Sequence, residues 1–198
     1  MKTERPCAWC RGDMPITARS DARTCSVRCR VAAHRAAKKR VFPLELTTRD
    51  RWVRRSSAKV PLTTVGKAAS STAPRTWGTY RNATESVAGV GTGFVLNGDG
   101  IVCIDLDHAI AADGSLKPWA EDIVSLAGET FIEVSASGEG LHIFGYADVR
   151  RGRRIRRDDG YAVEVYGDRR FIAVTGQRFR EAPKTLADVS TLVDHLTA

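Results

Sequence analysis

The chain has 198 residues, 42% of them hydrophobic and 27% charged, which suits one ordinary globular core with a small appendage. Its formal net charge of +8 points to a polyanionic partner. No apolar run approaches the roughly 20 residues that span a bilayer, and the opening Met1–Arg5 lacks the apolar core of a secretion signal. A membrane protein is thereby excluded and a cytoplasmic setting expected, where five cysteines read as thiols or metal ligands rather than disulfides. The charge is uneven. Residues 1–60 carry 16 basic and 5 acidic side chains, residues 61–149 carry 4 and 11, and residues 150–198 carry 11 and 7. An acidic middle between basic flanks fits a metal-carboxylate site framed by nucleic-acid contacts.

Residues 1–42 hold four of the cysteines in the spacing C-x2-C-x14-C-x3-C: Cys7, Cys10, Cys25 and Cys29. Two close thiolate pairs can close a tetrahedron around one structural zinc ion, which would supply the stability so short a segment lacks. The Ala- and Arg-rich stretch after Ser26 suits a helix with Cys29 in its first turn, as in a treble-clef finger. That helix carries Arg30, Lys38, Lys39 and Arg40, a candidate phosphate-contacting surface. His34 reads as a surface residue. Residues 43–58 show weak periodicity and read as a linker, leaving 59–198 as the main domain.

Within that domain Trp77, Tyr80 and Ala83 fall at helical spacing behind Ser71-Thr72, predicting a capped helix. Gly93–Leu96 and Ile101–Asp107 flank Asn97-Gly98-Asp99-Gly100, a hairpin signal. Alternation along Ile101–Asp107 places Val102, Ile104 and Leu106 on one face and Cys103, Asp105 and Asp107 on the other. Carboxylates at i and i+2 stand about 7 Å apart, enough to bracket two divalent ions about 3.5–4 Å apart. Pro118–Leu126 predicts a helix. Two strands follow, Thr130–Val134 and Gly140–Tyr146, joined by a Ser/Gly loop. Its amides near Ser137 and Gly138 could face phosphate oxygens, and it runs into His142. Arg150–Arg157 contains six arginines in eight residues, including Arg153, Arg154, Arg156 and Arg157. Such density predicts contact with nucleic acid or triphosphate. Tyr161–Tyr166 and Phe171–Val174 predict a second hairpin across Gly167-Asp168, with Glu164 able to complete a three-carboxylate site. Leu186, Val189, Leu192, Val193 and Leu196 mark a final helix. The sum is an α+β domain with a largely antiparallel sheet and packed helices.

The order IDLDH, EVSASGEGLHIF, VEVYGDRRFIAVTG resembles the primase-polymerase domains of phage and plasmid replication proteins, within the archaeo-eukaryotic primase superfamily. The family's first motif matches Asp105 and Asp107, its second His142, its third Glu164. The surroundings, Lys59 to Trp77 and Gly91–Phe94, are similar too, and the resemblance covers residues 50–180. One departure stands out: Gly140 occupies the serine of the usual Ser-x-His. The resemblance implies an RRM-like core and a metal-dependent nucleotidyltransferase, a DNA primase-polymerase making or extending primers in phage or mobile-element replication. It implies two Mg²⁺ or Mn²⁺ ions on Asp105, Asp107 and Glu164. His142 would contact the triphosphate, with Arg169 and Arg170 as further candidates. Single-stranded DNA template and dNTPs or rNTPs would be the substrates, in a bacterial or phage-infected cell. Length leaves no room for a helicase, so a separate helicase is expected. Two other readings stay open: a non-enzymatic zinc-finger DNA-binding module with an inactive primase fold, and a metal-dependent nuclease using the same acids.

Overall fold

This computed structural model describes residues 6–7, 10, 12–32, 41–156 and 162–198, which fall in two units, Met1–Arg40 and Val41–Ala198. In the first, the Cys7 N–H donates to the Gly12 carbonyl at 2.8 Å beneath a Pro6–Asp13 bridge, closing a tight turn. Residues 27–32 are helical, and the Ser26 hydroxyl accepts from the Cys29 N–H at 3.1 Å as an N-cap. Arg30 lies on this helix and is exposed. His34, Lys38, Lys39, Arg40 and Arg157 lie outside the described residues.

The second unit is α+β. In chain order its elements are α1 (Leu44–Thr47), β1 (Trp52–Arg55), β2 (Pro61–Leu62), α2 (Tyr80–Glu85), β3 (Gly91–Asn97), β4 (Ile101–Asp107), α3 (Pro118–Ala127), β5 (Phe131–Val134), β6 (Leu141–Tyr146), β7 (Arg153–Arg156), β8 (Ala162–Tyr166), β9 (Asp168–Val174) and α4 (Ser190–Thr197). They build two antiparallel sheets rather than one, ordered β2-β1-β3-β9 and β5-β6-β4-β8-β7. The alternation along β4 acts as expected. Val102, Ile104 and Leu106 pack against Ile123 of α3 and Leu192 and Val193 of α4. On the opposite face Ile101 and Cys103, with Phe131 and Phe144, meet Trp52, Phe94 and Ile172 of the four-stranded sheet. Farther along β4 that same face opens into a cleft lined by Asp105 and Asp107.

Neither expected hairpin forms. β3 and β4 lie in different sheets, as do β8 and β9. The segments 91–107 and 162–174 instead run antiparallel along their whole length, from Thr92↔Val174 through Asn97↔Asp168 to Cys103↔Tyr166 and Asp107↔Ala162. Asn97-Gly98-Asp99-Gly100 is thus an insertion in a ribbon that crosses between sheets. Its turn residues answer distant partners: Asp99 is ion-paired to Arg49 at 2.8 Å and Arg51 at 2.9 Å, and Gly98 N–H donates to Gly167 O at 3.0 Å.

Residues 43–58 are not a linker. They form α1 and β1, with Leu46, Trp52 and Val53 fully buried. The aromatic rings of Phe42, Phe94 and Tyr80 surround Trp52 at centroid distances of 5.0, 5.3 and 4.7 Å, and its indole N–H donates to Leu46 O at 3.0 Å. The helix expected behind Ser71 is split. A 3-10 turn, Pro74–Thr76, precedes α2, because Gly78 pairs with Trp52 in strand fashion and Thr79 caps the helix by accepting from Asn82 N–H at 3.0 Å. The last helix starts only at Ser190, since Ala187 and Val189 hydrogen-bond Tyr146 of β6.

Trp52→Ala should lower the unfolding free energy by about 3–5 kcal/mol, read by urea denaturation. A residue in a linker would change it by almost nothing.

Candidate active site

At one register level, five side chains line up across the five-stranded sheet. Glu133 on β5 faces His142 on β6, His142 faces Asp105 on β4, Asp105 faces Glu164 on β8, and Glu164 faces Arg154 on β7. Directly paired residues of antiparallel strands share a face, so side chains from positions 105 to 164 converge on one row. Asp105, Asp107, His142 and Glu164 line one cleft of about 480 Å³ together with Lys59, Ser71 and Arg169–Ala173. One wall comes from each sheet.

The row is a chain of charge pairs. The His142 Nδ1 lies 2.9 Å from Glu133 Oε1, and its Nε2 lies 3.7 Å from Asp105 Oδ1. Burial alone would depress the His142 pKa; the Glu133 carboxylate, then Asp105, outweigh it and lift the value above the ordinary one. Burial pushes the Asp105 carboxyl up, and Asp107 and Glu164 add repulsion while His142 and Lys59 oppose it. Glu164 accepts from the Tyr166 hydroxyl at 2.6 Å and pairs with Arg154 at 2.8 Å and Arg170 at 3.6 Å. Arg170 also lies over the Tyr166 ring, 4.3 Å from its centroid.

Several expected contacts are arranged differently. In the Ser/Gly loop it is Ala136 that lines the cleft. Gly138 N–H donates to Ser135 O at 3.0 Å to close the turn, and the Ser137 hydroxyl lies 3.0 Å from that of Ser135. Of the expected basic segment, Arg153–Arg156 is the edge strand β7, Arg154 turns to Glu164, and Arg153 donates to Thr197 O at 3.3 Å. Gly140 has a steric cause: a Cβ there would lie 2.6 Å from the Leu106 carbonyl oxygen. From sequence, Lys59 and Ser71 stood out only as family-like surroundings and a helix cap, and Glu133 not at all, so none was assigned to the site. Glu133 carried a signal, an acid between Ile132 and Val134 on an apolar strand. Lys59 sits in a turn with φ of 57°, which no periodicity marks.

Among the described residues, one group of metal-ligating side chains has all its donor atoms within 4.8 Å: Cys7, Cys10, Cys25 and Cys29. Cys25 Sγ lies 3.6 Å from Cys10 Sγ and 3.5 Å from Cys29 Sγ, and Cys25 N–H donates to Cys7 Sγ at 3.3 Å. Thiolates at about 2.3 Å from zinc in a tetrahedron stand about 3.8 Å apart, so this cluster fits that ion. The crowded sulfurs of Cys29, Cys10 and Cys7 push the Cys25 thiol up to about 12, a state a bound cation would reverse. Cys103 lies in the core of the second unit.

Over 136 residues, 65% of its length, the chain is 35% identical to the DNA primase-polymerase of Nitratiruptor phage NrS-1. The chain is homologous to that phage protein. It spans 19% of the phage protein's length. No protein-family model matches the chain. Among the described residues, no helix is long and apolar enough to cross a membrane.

The His142 shift has a definite consequence for stability. Its contribution is complete below the unfolded value of about 6.5 and is lost as pH rises through the raised folded value. With divalent ions omitted, thermal melting from about pH 6.5 upward should show a descending limb that is shallower in His142→Ala.

Proposed function

We propose that the chain carries the nucleotidyl-transfer site of a DNA primase-polymerase. The observation that supports this is the row Glu133–His142–Asp105–Glu164, opening with Asp107 into one cleft, in a chain homologous to a phage primase-polymerase. Asp105 and Asp107 project from one face, and Asp107 and Glu164 both repel Asp105, a donor set suited to hard divalent cations. Asp105, Asp107 and Glu164 would hold Mg²⁺ or Mn²⁺, whose charge would activate a primer 3′-hydroxyl and neutralise the triphosphate. Glu164 joins such a set by releasing Arg154. His142 presents Nε2 to the cleft, and Lys59, Arg169 and Arg170 give it a positive wall for an incoming dNTP or rNTP. Template single-stranded DNA is assigned to the basic residues that flank the acidic middle, Arg30, Lys38, Lys39 and Arg40 on one side and Arg153, Arg154, Arg156 and Arg157 on the other.

Replacing Asp105 and Asp107 with Asn should cut primer extension by roughly a hundredfold or more, with melting temperature and DNA affinity nearly unchanged. Extension is measured on a primed single-stranded template with Mg²⁺ or Mn²⁺. Near-normal extension by the double variant would overturn the proposal, and template degradation in place of extension would favour a nuclease. Wild type that binds DNA but never adds nucleotides would favour the binding-module reading.

We assign one structural zinc to Cys7, Cys10, Cys25 and Cys29. Elemental analysis should find about one zinc per chain, retained in Cys103→Ser and lost in Cys25→Ser.

A further inference from the structure

We propose that Glu133 is a positioning residue that fixes His142 with Nδ1–H bound and Nε2 presented to the cleft, and that it locks the two cleft walls together. The inference rests on the nucleotidyl-transfer reading for its kinetic consequence and on the geometry alone for the rest. Glu133 has no exposed surface. A buried carboxylate without partners is costly, and this one is fully supplied. It accepts from Gly176 N–H at 2.7 Å and from Thr175 N–H at 3.2 Å, while the Thr175 hydroxyl donates to Val134 O at 2.6 Å. The remaining contact is His142 Nδ1 at 2.9 Å from Oε1. An ionised carboxylate only accepts, so Nδ1 must carry the proton. That leaves Nε2, 3.7 Å from Asp105, as the ring atom available to a ligand in the cleft. A third group orienting a histidine in this way is a recurrent device of reactive sites.

The same carboxylate bridges the sheets. Glu133 and His142 belong to the five-stranded sheet, whereas Thr175 and Gly176 directly follow β9, whose Arg169, Arg170 and Phe171 form the opposing wall. Glu133 therefore sets the depth of His142 and the spacing between His142 and the arginine-bearing strand.

Two measurements on the full chain test this. In wild type, ¹⁵N-edited histidine NMR should show His142 protonated at Nδ1; an Nε2–H tautomer with Nδ1 bare overturns the proposal, with no variant needed. In steady-state extension, Glu133→Gln should raise the KM for dNTP by roughly tenfold or more, with a smaller change in kcat and unchanged template affinity. The rise should vanish when Glu133→Gln is made in a His142→Ala background, because a residue acting through His142 has nothing left to orient. Equal effects in both backgrounds, or an unchanged KM in the single variant, overturn it. Wild type that shows the Nδ1–H tautomer but extends no primer would sink the nucleotidyl-transfer reading and leave the positioning geometry standing.

Discussion

The antiparallel ribbon between residues 91–107 and 162–174 is the constraint on which the rest of the second unit depends. It belongs to both sheets, so it fixes them relative to each other. It also carries most of the charged side chains that line the cleft. β4 brings Asp105 and Asp107, β8 brings Glu164, and β9 brings Arg169 and Arg170. Ladder pairing then holds acids and arginines in one register without any direct contact between most of them. α3 and α4 cover the far face, through Val102, Ile104 and Leu106, and the four-stranded sheet covers Ile101 and Cys103, so the near face opens to a ligand at its Asp105–Asp107 end.

Electrostatics in the cleft is balanced rather than minimised. Asp105 is pushed toward protonation by burial and by Asp107 and Glu164, and relieved by His142 and Lys59. Glu164 is satisfied by Tyr166, Arg154 and Arg170. Removing His142 or Lys59 would leave Asp105 as a poorly compensated charge in a partly buried site. The arrangement can exchange partners because Arg154 and Arg170 are themselves half-exposed, at 51% and 50%, so their departure from Glu164 costs little solvation.

Much of this was legible in the sequence, for a local reason. Strand alternation is a rule of neighbours, and it placed Asp105 and Asp107 opposite Val102, Ile104 and Leu106. The apolar strands around His142 and Glu164 were equally visible, as was the paired spacing of Cys7, Cys10, Cys25 and Cys29. What failed was non-local. Asn97-Gly98-Asp99-Gly100 has the chemistry of a hairpin turn, yet Arg49 and Arg51, far back in the chain, claim Asp99 and turn it into a crossing. Trp52 lies in a stretch with little periodicity because a single aromatic, not a repeating face, anchors it. Glu133 is tied to the four-stranded sheet only through Thr175 and Gly176, more than 40 residues away.

The crossing also counts residues. Between the pairs Asn97↔Asp168 and Cys103↔Tyr166, five residues on one strand stand opposite Gly167 alone. Ile101 and Val102, fully buried and paired with Tyr146 and Gly145 of β6, already belong to the strand, so the spare residues are Gly98, Asp99 and Gly100. Deleting or inserting a single residue within the paired part of β4 would reverse the parity of everything downstream of it. Asp105 and Asp107 would then point into the helices, and Ile104 and Leu106 into the cleft. The spare residues 98–100 lie outside the ladder and set no parity; their composition is held instead by Asp99, paired to Arg49 and Arg51, and by the positive φ of Gly98 and Gly100.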